Sequence, residues 1–192
     1  PIADEELIRR IREVLGRGGI SVRHIQTMDA SRRSTHSNAY FSGIGRVKRI
    51  VLFDTLLAAN TREEIVAILA HEAGHWKKKH LFKRLLATEA VALIALYTVF
   101  RVVQGDTLID WFGLRESTLY ANLLLAAWLG GLLATPWQPL ASWYSRRHER
   151  EADDFAVQLT NAPQALASAL IKLARDNLTG LHPHPWFAAF YY

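Results

Sequence analysis

The first residues of the chain place apolar side chains at the spacing of a helix. The residues that would share one face are Leu7, Ile8, Ile11, Val14 and Leu15. This pattern predicts an amphipathic helix over residues 3–15, which the glycine-rich stretch 16–19 would end.

Three short runs with β-like patterns follow this helix, at residues 20–25, 36–41 and 46–53. A polar turn precedes the second run, and a glycine-bearing turn, residues 42–45, separates the second from the third. These signals predict a small antiparallel sheet with a hairpin between the second and third strands.

Helix signals return after residue 60. Thr61 and Glu64 form a Thr-x-x-Glu capping-box pattern, which predicts a helix that runs through His71 to about Arg84. A further helix is predicted over residues 146–159. The last begins at Pro163 and ends near residue 177.

Two long apolar stretches lie between these helices. Residues 85–103 are apolar apart from a few polar side chains that include Glu89 and Arg101, and residues 117–145 carry no charge. Prolines at 136 and 139 would end the second helix near Thr135. A span needs about 20 apolar residues to cross the hydrocarbon core of a bilayer, so the pair predicts a transmembrane hairpin over residues 85–145.

The charges around this hairpin follow the positive-inside rule. Basic residues flank its outer ends, at positions 77–79, 83, 84, 146, 147 and 150, whereas the connecting loop holds one arginine and three acids. This asymmetry predicts an integral membrane protein with both outer ends cytoplasmic and with membrane lipid as a partner. The alternative is a buried helical hairpin in a soluble protein.

Composition narrows the class of protein. The chain has 192 residues, of which 50% are hydrophobic and 21% charged, so a disordered chain is excluded. The net charge is +5, and the basic residues lie on either side of the apolar spans rather than on one polar face. We therefore expect no nucleic-acid partner. The first residues show no secretory signal, and the missing initiator Met predicts a fragment.

The strongest chemical signal is the motif His71-Glu72-Ala-Gly-His75. On a helix, residues four apart share a face, so both imidazoles can reach one metal ion. Glu72 lies about 100° round the axis, where it can accept a proton from an attacking water without binding the metal. The alternative is a chance match on a surface helix.

A catalytic zinc ion needs a third protein ligand, and the chain contains no cysteine. Residues 146–156 are the best source, because Glu149 and Asp153 are four apart and share a helical face. Glu149 would bind zinc, and Asp153 would accept the second N–H of a ligand histidine. Glu151 would point away and pair with Arg147. Alternatively, this segment is an ordinary charged helix.

The chain resembles the zinc-dependent (type I) CAAX prenyl proteases, a branch of the gluzincin membrane metallopeptidases. The matching blocks, in order, are RSTHSNAYF (33–41), RIVLFDTLL (49–57), HEAGHW (71–76), SRRHEREADDFA (145–156) and ALIKLARDNL (169–178). The resemblance implies a mainly helical α+β gluzincin-type fold, with one metallopeptidase domain over residues 1–192 and the hairpin inserted into it.

The resemblance also implies an activity: hydrolysis of peptide bonds near the C-terminus of prenylated proteins. It implies one zinc ion per chain on His71, His75 and Glu149, with Glu72 as the catalytic base. It makes Asn38, in the strand beside bound substrate, a substrate-binding candidate. The family has membrane spans before the matched region and an oxyanion histidine after it, so the fragment is expected to be a poor enzyme.

Two other functions stay open. One is a general quality-control metalloprotease for membrane proteins, with the same chemistry and no prenyl requirement. The other is an inactive zinc-binding scaffold in this truncated form. Comparing turnover of a prenylated peptide with that of its unprenylated twin separates the first alternative from CAAX processing.

Overall fold

The computed structural model describes residues 4–32, 38–42, 47–105, 107–115, 118–176, 184, 187–188 and 190. Within them the elements are, in order, α1 (Glu5–Arg17), β1 (Ser21–Met28), β2 (Ala39–Ser42), β3 (Val47–Phe53), α2 (Asp54–Ala59), α3 (Arg62–Lys77), α4 (His80–Val103), α5 (Thr107–Phe112), α6 (Leu119–Ala134), α7 (Gln138–Thr160) and α8 (Pro163–Asp176). A 3₁₀ turn, Thr135–Trp137, separates α6 from α7.

These elements fall into two compact units. The first consists of Pro1–His80 and Arg146–His184, and the second of Leu81–Ser145 and Pro185–Tyr192. The first unit contains the sheet and the candidate site. The predicted fold class, mainly helical α+β with a small sheet and two apolar helices, is confirmed.

The three strands form one sheet in the order β1-β3-β2. The predicted hairpin between β2 and β3 is confirmed, and these strands are antiparallel. The prediction of a wholly antiparallel sheet is wrong, because β1 pairs parallel with β3. The central position of β3 explains why Ile50 and Leu52 are fully buried. Residues 36 and 37 of the predicted second strand lie outside the described residues.

The core of the first unit packs α1 and the sheet against α3 and α8. The Asp4 side chain caps α1 by accepting the Leu7 backbone N–H at 3.0 Å. Four of the five apolar residues that were expected to share one face of α1 are buried against this core; they are Leu7, Ile11, Val14 and Leu15. Burial of this face, rather than helix propensity, is the main source of stability for a helix of this length.

Helix α3 begins at the predicted capping box. The Thr61 hydroxyl accepts the Glu64 N–H, and the Glu64 carboxylate accepts the Thr61 N–H at 2.7 Å. The prediction that this helix continues to Arg84 is wrong. It ends at Lys77, and Lys79 has a φ of 57°, so the chain turns in the left-handed region before α4 begins at His80.

The second unit contains most of two long apolar helical segments, which extend into the first unit. Two helical segments, His80–Val103 and Leu119–Thr160, are long and apolar enough to cross a membrane. Their large apolar side chains are mostly exposed, with Leu81 and Leu133 at 83% and 68%, so a buried hairpin is not what the structure shows. Helix α6 ends at Ala134, where the prolines predicted an end, and α5 in the connecting segment was not predicted.

An ion pair between a buried glutamate and a partly exposed lysine joins α3 to α8 in the first unit. The Glu64 carboxylate, 5% exposed, accepts hydrogen bonds from Lys172 Nζ at 2.6 Å and from the Ser168 hydroxyl. Burial raises the pKa of Glu64, but the hydrogen bonds from Lys172, Ser168 and the Thr61 N–H outweigh it and lower the pKa to about 2.

We expect this pair to make folding stability fall with acid. Because the pKa of Glu64 is lower in the folded chain than its ordinary 4.5, the contribution is present above that value and is lost as the pH falls through about 2. Glu64→Gln should lower the free energy of unfolding at pH 7 by about 1–3 kcal/mol and flatten its acid dependence. Unfolding followed by circular dichroism between pH 3 and 7 measures both. The control, Glu63→Gln, changes an exposed neighbour and should leave the pH profile unchanged.

Candidate metal centre

Three ligand atoms from two helices meet in the first unit. His71 and His75 lie one turn apart on α3, and their Nε2 atoms are 3.1 Å apart. Glu149 on α7 places its Oε2 atom 3.5 Å from His71 Nε2 and 3.4 Å from His75 Nε2. This triangle of one carboxylate and two imidazoles could hold a metal ion.

The three side chains differ in their access to solvent. The His71 side chain is 12% exposed, that of His75 27% and that of Glu149 54%. The group is therefore anchored on its histidine side and open on its glutamate side. A metal held there could meet a water molecule or a substrate.

The two helices approach closely at the centre of the site. An added Cβ at Gly74 would lie 2.9 Å from Ala152 Cα and 3.1 Å from the Ala152 carbonyl oxygen. Gly74 therefore has no room for a side chain. It lies between His71 and His75, and Ala152 lies between Glu149 and Asp153, so this contact sets the spacing of the ligands.

Asp153 contacts the outer nitrogen of one histidine. Its Oδ1 atom is 2.8 Å from His71 Nδ1, so His71 can donate that N–H and keep Nε2 for a metal. Burial lowers the pKa of His71, but the hydrogen bonds to Asp153 and Glu149 outweigh it and raise the pKa to about 9. The site therefore has a negative potential that favours a cation.

Glu72 lies next to His71 on α3 and is half-buried. Burial raises its pKa above the ordinary value of a glutamate; the two histidines lower it and Glu149 raises it. A carboxylate with a raised pKa is a stronger proton acceptor.

One residue at the site was not predicted from the sequence. His80, 4% exposed, places its Nδ1 atom 3.0 Å from His75 Nδ1, and its Nε2 atom lies 3.2 Å from Glu151 Oε2. The predicted pair of Arg147 and Glu151 is present, at 3.0 Å, and Glu151 is not among the grouped ligand atoms, although it contacts His80 behind them. The available signal was a histidine just past the end of the motif helix.

Asn38 lies just before β2, at one edge of the sheet. Its backbone carbonyl accepts the Phe53 N–H at 3.1 Å, and its side-chain oxygen accepts the Ala39 N–H at 2.8 Å. Strand β2 lies alongside α3, which carries His71 and His75. The contacts found for Asn38 within the described residues are with the sheet and not with the ligand group.

A glutamate between two metal-binding histidines, with a second glutamate from another helix, is the arrangement of a metallopeptidase. The chain belongs to peptidase family M48, whose sequence model matches residues 1–188.

Relatives of the chain include CAAX prenyl proteases. The chain is 34% identical over 208 residues to CAAX prenyl protease 1 of Saccharomyces cerevisiae, which covers 100% of the chain and 46% of the relative. It is 33% identical over 199 residues to the CAAX prenyl protease 1 homolog of Oryza sativa subsp. japonica. This match covers 100% of the chain and 45% of the relative.

A solved structure is also similar. The crystal structure of S. mikatae Ste24p matches with a TM-score of 0.82 and 32% sequence identity, over 100% of this chain and 48% of that one. The chain thus spans about half the length of the proteins it matches.

We expect Gly74→Ala to disturb the metal centre without touching a ligand. The new methyl group would push α7 from α3, which should lower the free energy of unfolding by about 1–3 kcal/mol and weaken divalent-metal binding. Thermal unfolding and metal titration measure the two effects. The control is Gly16→Ala in α1, where an added Cβ meets nothing within 4 Å; it should raise stability slightly and leave metal binding alone. Unchanged metal binding in Gly74→Ala would contradict this account.

Proposed function

We propose that the chain binds one zinc ion through His71, His75 and Glu149 and hydrolyses peptide bonds with Glu72 as general base. The observation that carries the proposal is the triangle of ligand atoms beside Glu72, in a chain of peptidase family M48. On this proposal, residues 1–192 act as one metallopeptidase domain with an inserted apolar hairpin.

The residues fit zinc. Tetrahedral ligands at about 2.0–2.1 Å from a zinc ion lie roughly 3.3 Å from one another, and the three ligand atoms here are 3.1, 3.4 and 3.5 Å apart. Two imidazoles and one carboxylate form a ligand set used by zinc hydrolases, which keep a fourth position open. The exposure of Glu149 supports such an opening.

The chain's own residues account for the proton transfers. Zinc in such a site supplies a Lewis acid that polarises a carbonyl and makes water more acidic. Glu72 would accept a proton from the attacking water and return it to the leaving amine, and its raised pKa suits both steps. Asp153 would hold the proton on His71 Nδ1, so that Nε2 stays free for the metal.

The substrate would be an extended peptide beside the sheet. Among the described strands, β2 has β3 as its one neighbour, so its other side can pair with a peptide by backbone hydrogen bonds. We propose Asn38, directly before β2, as a substrate contact. Its support is the position of β2 alongside α3 and the resemblance of residues 33–41 to the substrate-binding strand of the family; residues 33–37 lie outside the described residues.

We propose that the physiological substrate is the C-terminus of a prenylated protein. The support is the name shared by the rice and yeast relatives, CAAX prenyl protease 1. A quality-control protease without a prenyl requirement and an inactive zinc-binding scaffold are the alternatives.

We also propose that the apolar helices are membrane spans and that the catalytic unit is cytoplasmic. The exposed apolar side chains of α4 and α6 support insertion, since a soluble protein does not expose so large an apolar surface. The lysines before α4 and the arginines in α7 support the orientation.

The zinc mechanism predicts that Glu72→Gln and Glu149→Ala differ in their zinc content. Purified chain should contain one zinc per molecule. Glu72→Gln should retain it and lose at least about 10²-fold in peptidase rate, because an amide cannot accept the water proton. Glu149→Ala should lose the zinc itself. Elemental analysis and cleavage of a prenylated CAAX peptide, beside its unprenylated twin, measure both.

The matched control is Asp154→Ala, which removes an exposed carboxylate from the same helix and should keep both zinc and activity. Equal turnover of the two peptides would favour the quality-control alternative. Zinc without turnover in the wild-type chain would favour the scaffold, and wild-type chain without zinc would overturn the mechanism.

Membrane topology can be tested because the chain contains no cysteine. Lys78→Cys, in the turn before α4, and Arg115→Cys, between α5 and α6, should label from opposite sides of a sealed membrane. An impermeant maleimide added to the non-cytoplasmic side should reach position 115 at once and position 78 only after permeabilisation. The cysteine-free parent is the control. Labelling of both positions from one side would contradict a spanning α4.

A further inference from the structure

A second cluster of side chains lies directly behind the ligand group. It consists of His80 at the start of α4 and His148 and Glu151 on α7. The His80 and His148 rings stack, with centroids 4.2 Å apart and an angle of 9° between their planes. His80 is 4% exposed and contacts both His75 and Glu151. The proposed hydrolysis assigns no role to this cluster.

The contacts fix where the protons must be. If His75 binds a metal through Nε2, its Nδ1 carries a hydrogen, which can be donated to His80 Nδ1 at 3.0 Å. His80 then accepts at Nδ1 and must carry its own hydrogen on Nε2, 3.2 Å from Glu151 Oε2. Each imidazole donates one hydrogen, and its other nitrogen accepts a hydrogen bond or binds the metal. The Glu151 carboxylate is the last acceptor in this series of hydrogen bonds.

The position of His80 is itself determined by its neighbours. The left-handed turn at Lys79 directs the start of α4 back toward His75, and the His148 ring covers one face of His80. Glu151 is held by Arg147 at 3.0 Å, so the last acceptor in the series of hydrogen bonds is also oriented. His80 therefore cannot turn without losing several contacts.

We propose that His80 is a positioning residue for the metal site: it sets the tautomer and ring orientation of His75, and Glu151 does the same for His80. His71 has Asp153 as a direct carboxylate partner at 2.8 Å, whereas His75 reaches its carboxylate through a second imidazole. The inference rests on the proposed zinc site. It gives each ligand histidine its own acceptor, one direct and one relayed.

The test compares two substitutions of His80. His80→Phe keeps a ring to stack on His148 but removes both the acceptor for His75 and the donor to Glu151. His80→Gln keeps a carbonyl that can accept and an amide that can donate. We expect zinc affinity, measured by competition with a chelator, to fall about 10- to 100-fold in His80→Phe, the range usual for partners of ligand histidines. His80→Gln should recover most of that loss.

Two further readouts separate positioning from packing. In zinc-loaded protein labelled with ¹⁵N-histidine, the hydrogen on His75 Nδ1 should be protected from exchange in the wild type and in His80→Gln, and exposed in His80→Phe. Glu151→Leu should also weaken zinc binding, and its effect should not add to that of His80→Phe, because both break one chain of contacts. His24→Phe, at an exposed position on β1, is the control.

The outcomes are distinct. If wild-type chain binds no zinc, the proposed metal site itself fails. If wild-type chain binds zinc and His80→Phe binds it equally well, the metal site stands and the positioning role is overturned. Equal losses in His80→Phe and His80→Gln would show that His80 acts by packing, which also overturns the role. Should His80→Phe not fold, Glu151→Leu decides, because unchanged affinity there would exclude the relay.

Discussion

The close approach of α3 and α7 at Gly74 and Ala152 is the constraint on which the site depends. Metal ligands must be placed to within about 0.2 Å, and long side chains on loosely packed helices would not hold such distances. Here the helix separation is set by backbone contact, and alanines at 67, 70 and 156 continue the same interface toward α8. The spacing of the candidate ligands is therefore set by helix packing.

Local signals in the sequence predicted three helix ends correctly, although α3 ends earlier and α7 begins earlier than predicted. The capping box at Thr61, the proline at 163 and the prolines after α6 act through neighbouring residues, and the structure has helix ends at all three places. The parallel pairing of β1 with β3 was missed because it joins strands separated by another strand and a long connection. Turn residues report only the pairing of strands that they link directly.

The residues of the candidate site were likewise predicted only where the signal lies within one helix. Helix geometry predicts that His71 and His75 share one face of their helix and that Glu149 and Asp153 share one face of theirs, and the structure brings the two faces together. His80 could not be found in this way, because it lies beyond a left-handed turn that the helical pattern did not reveal. Continuing α3 through that turn would point residue 80 elsewhere on the helix.

The first unit is discontinuous in sequence, and this has a consequence for its synthesis. Chains emerge from the ribosome N-terminus first, at about 5–20 residues per second. Some seventy residues, including α4 and α6, separate His75 from Glu149. For several seconds a nascent chain thus carries His71, Glu72 and His75 without Glu149 or the helix that packs against them. The order of synthesis delays assembly of the candidate metal centre until the apolar hairpin has been made.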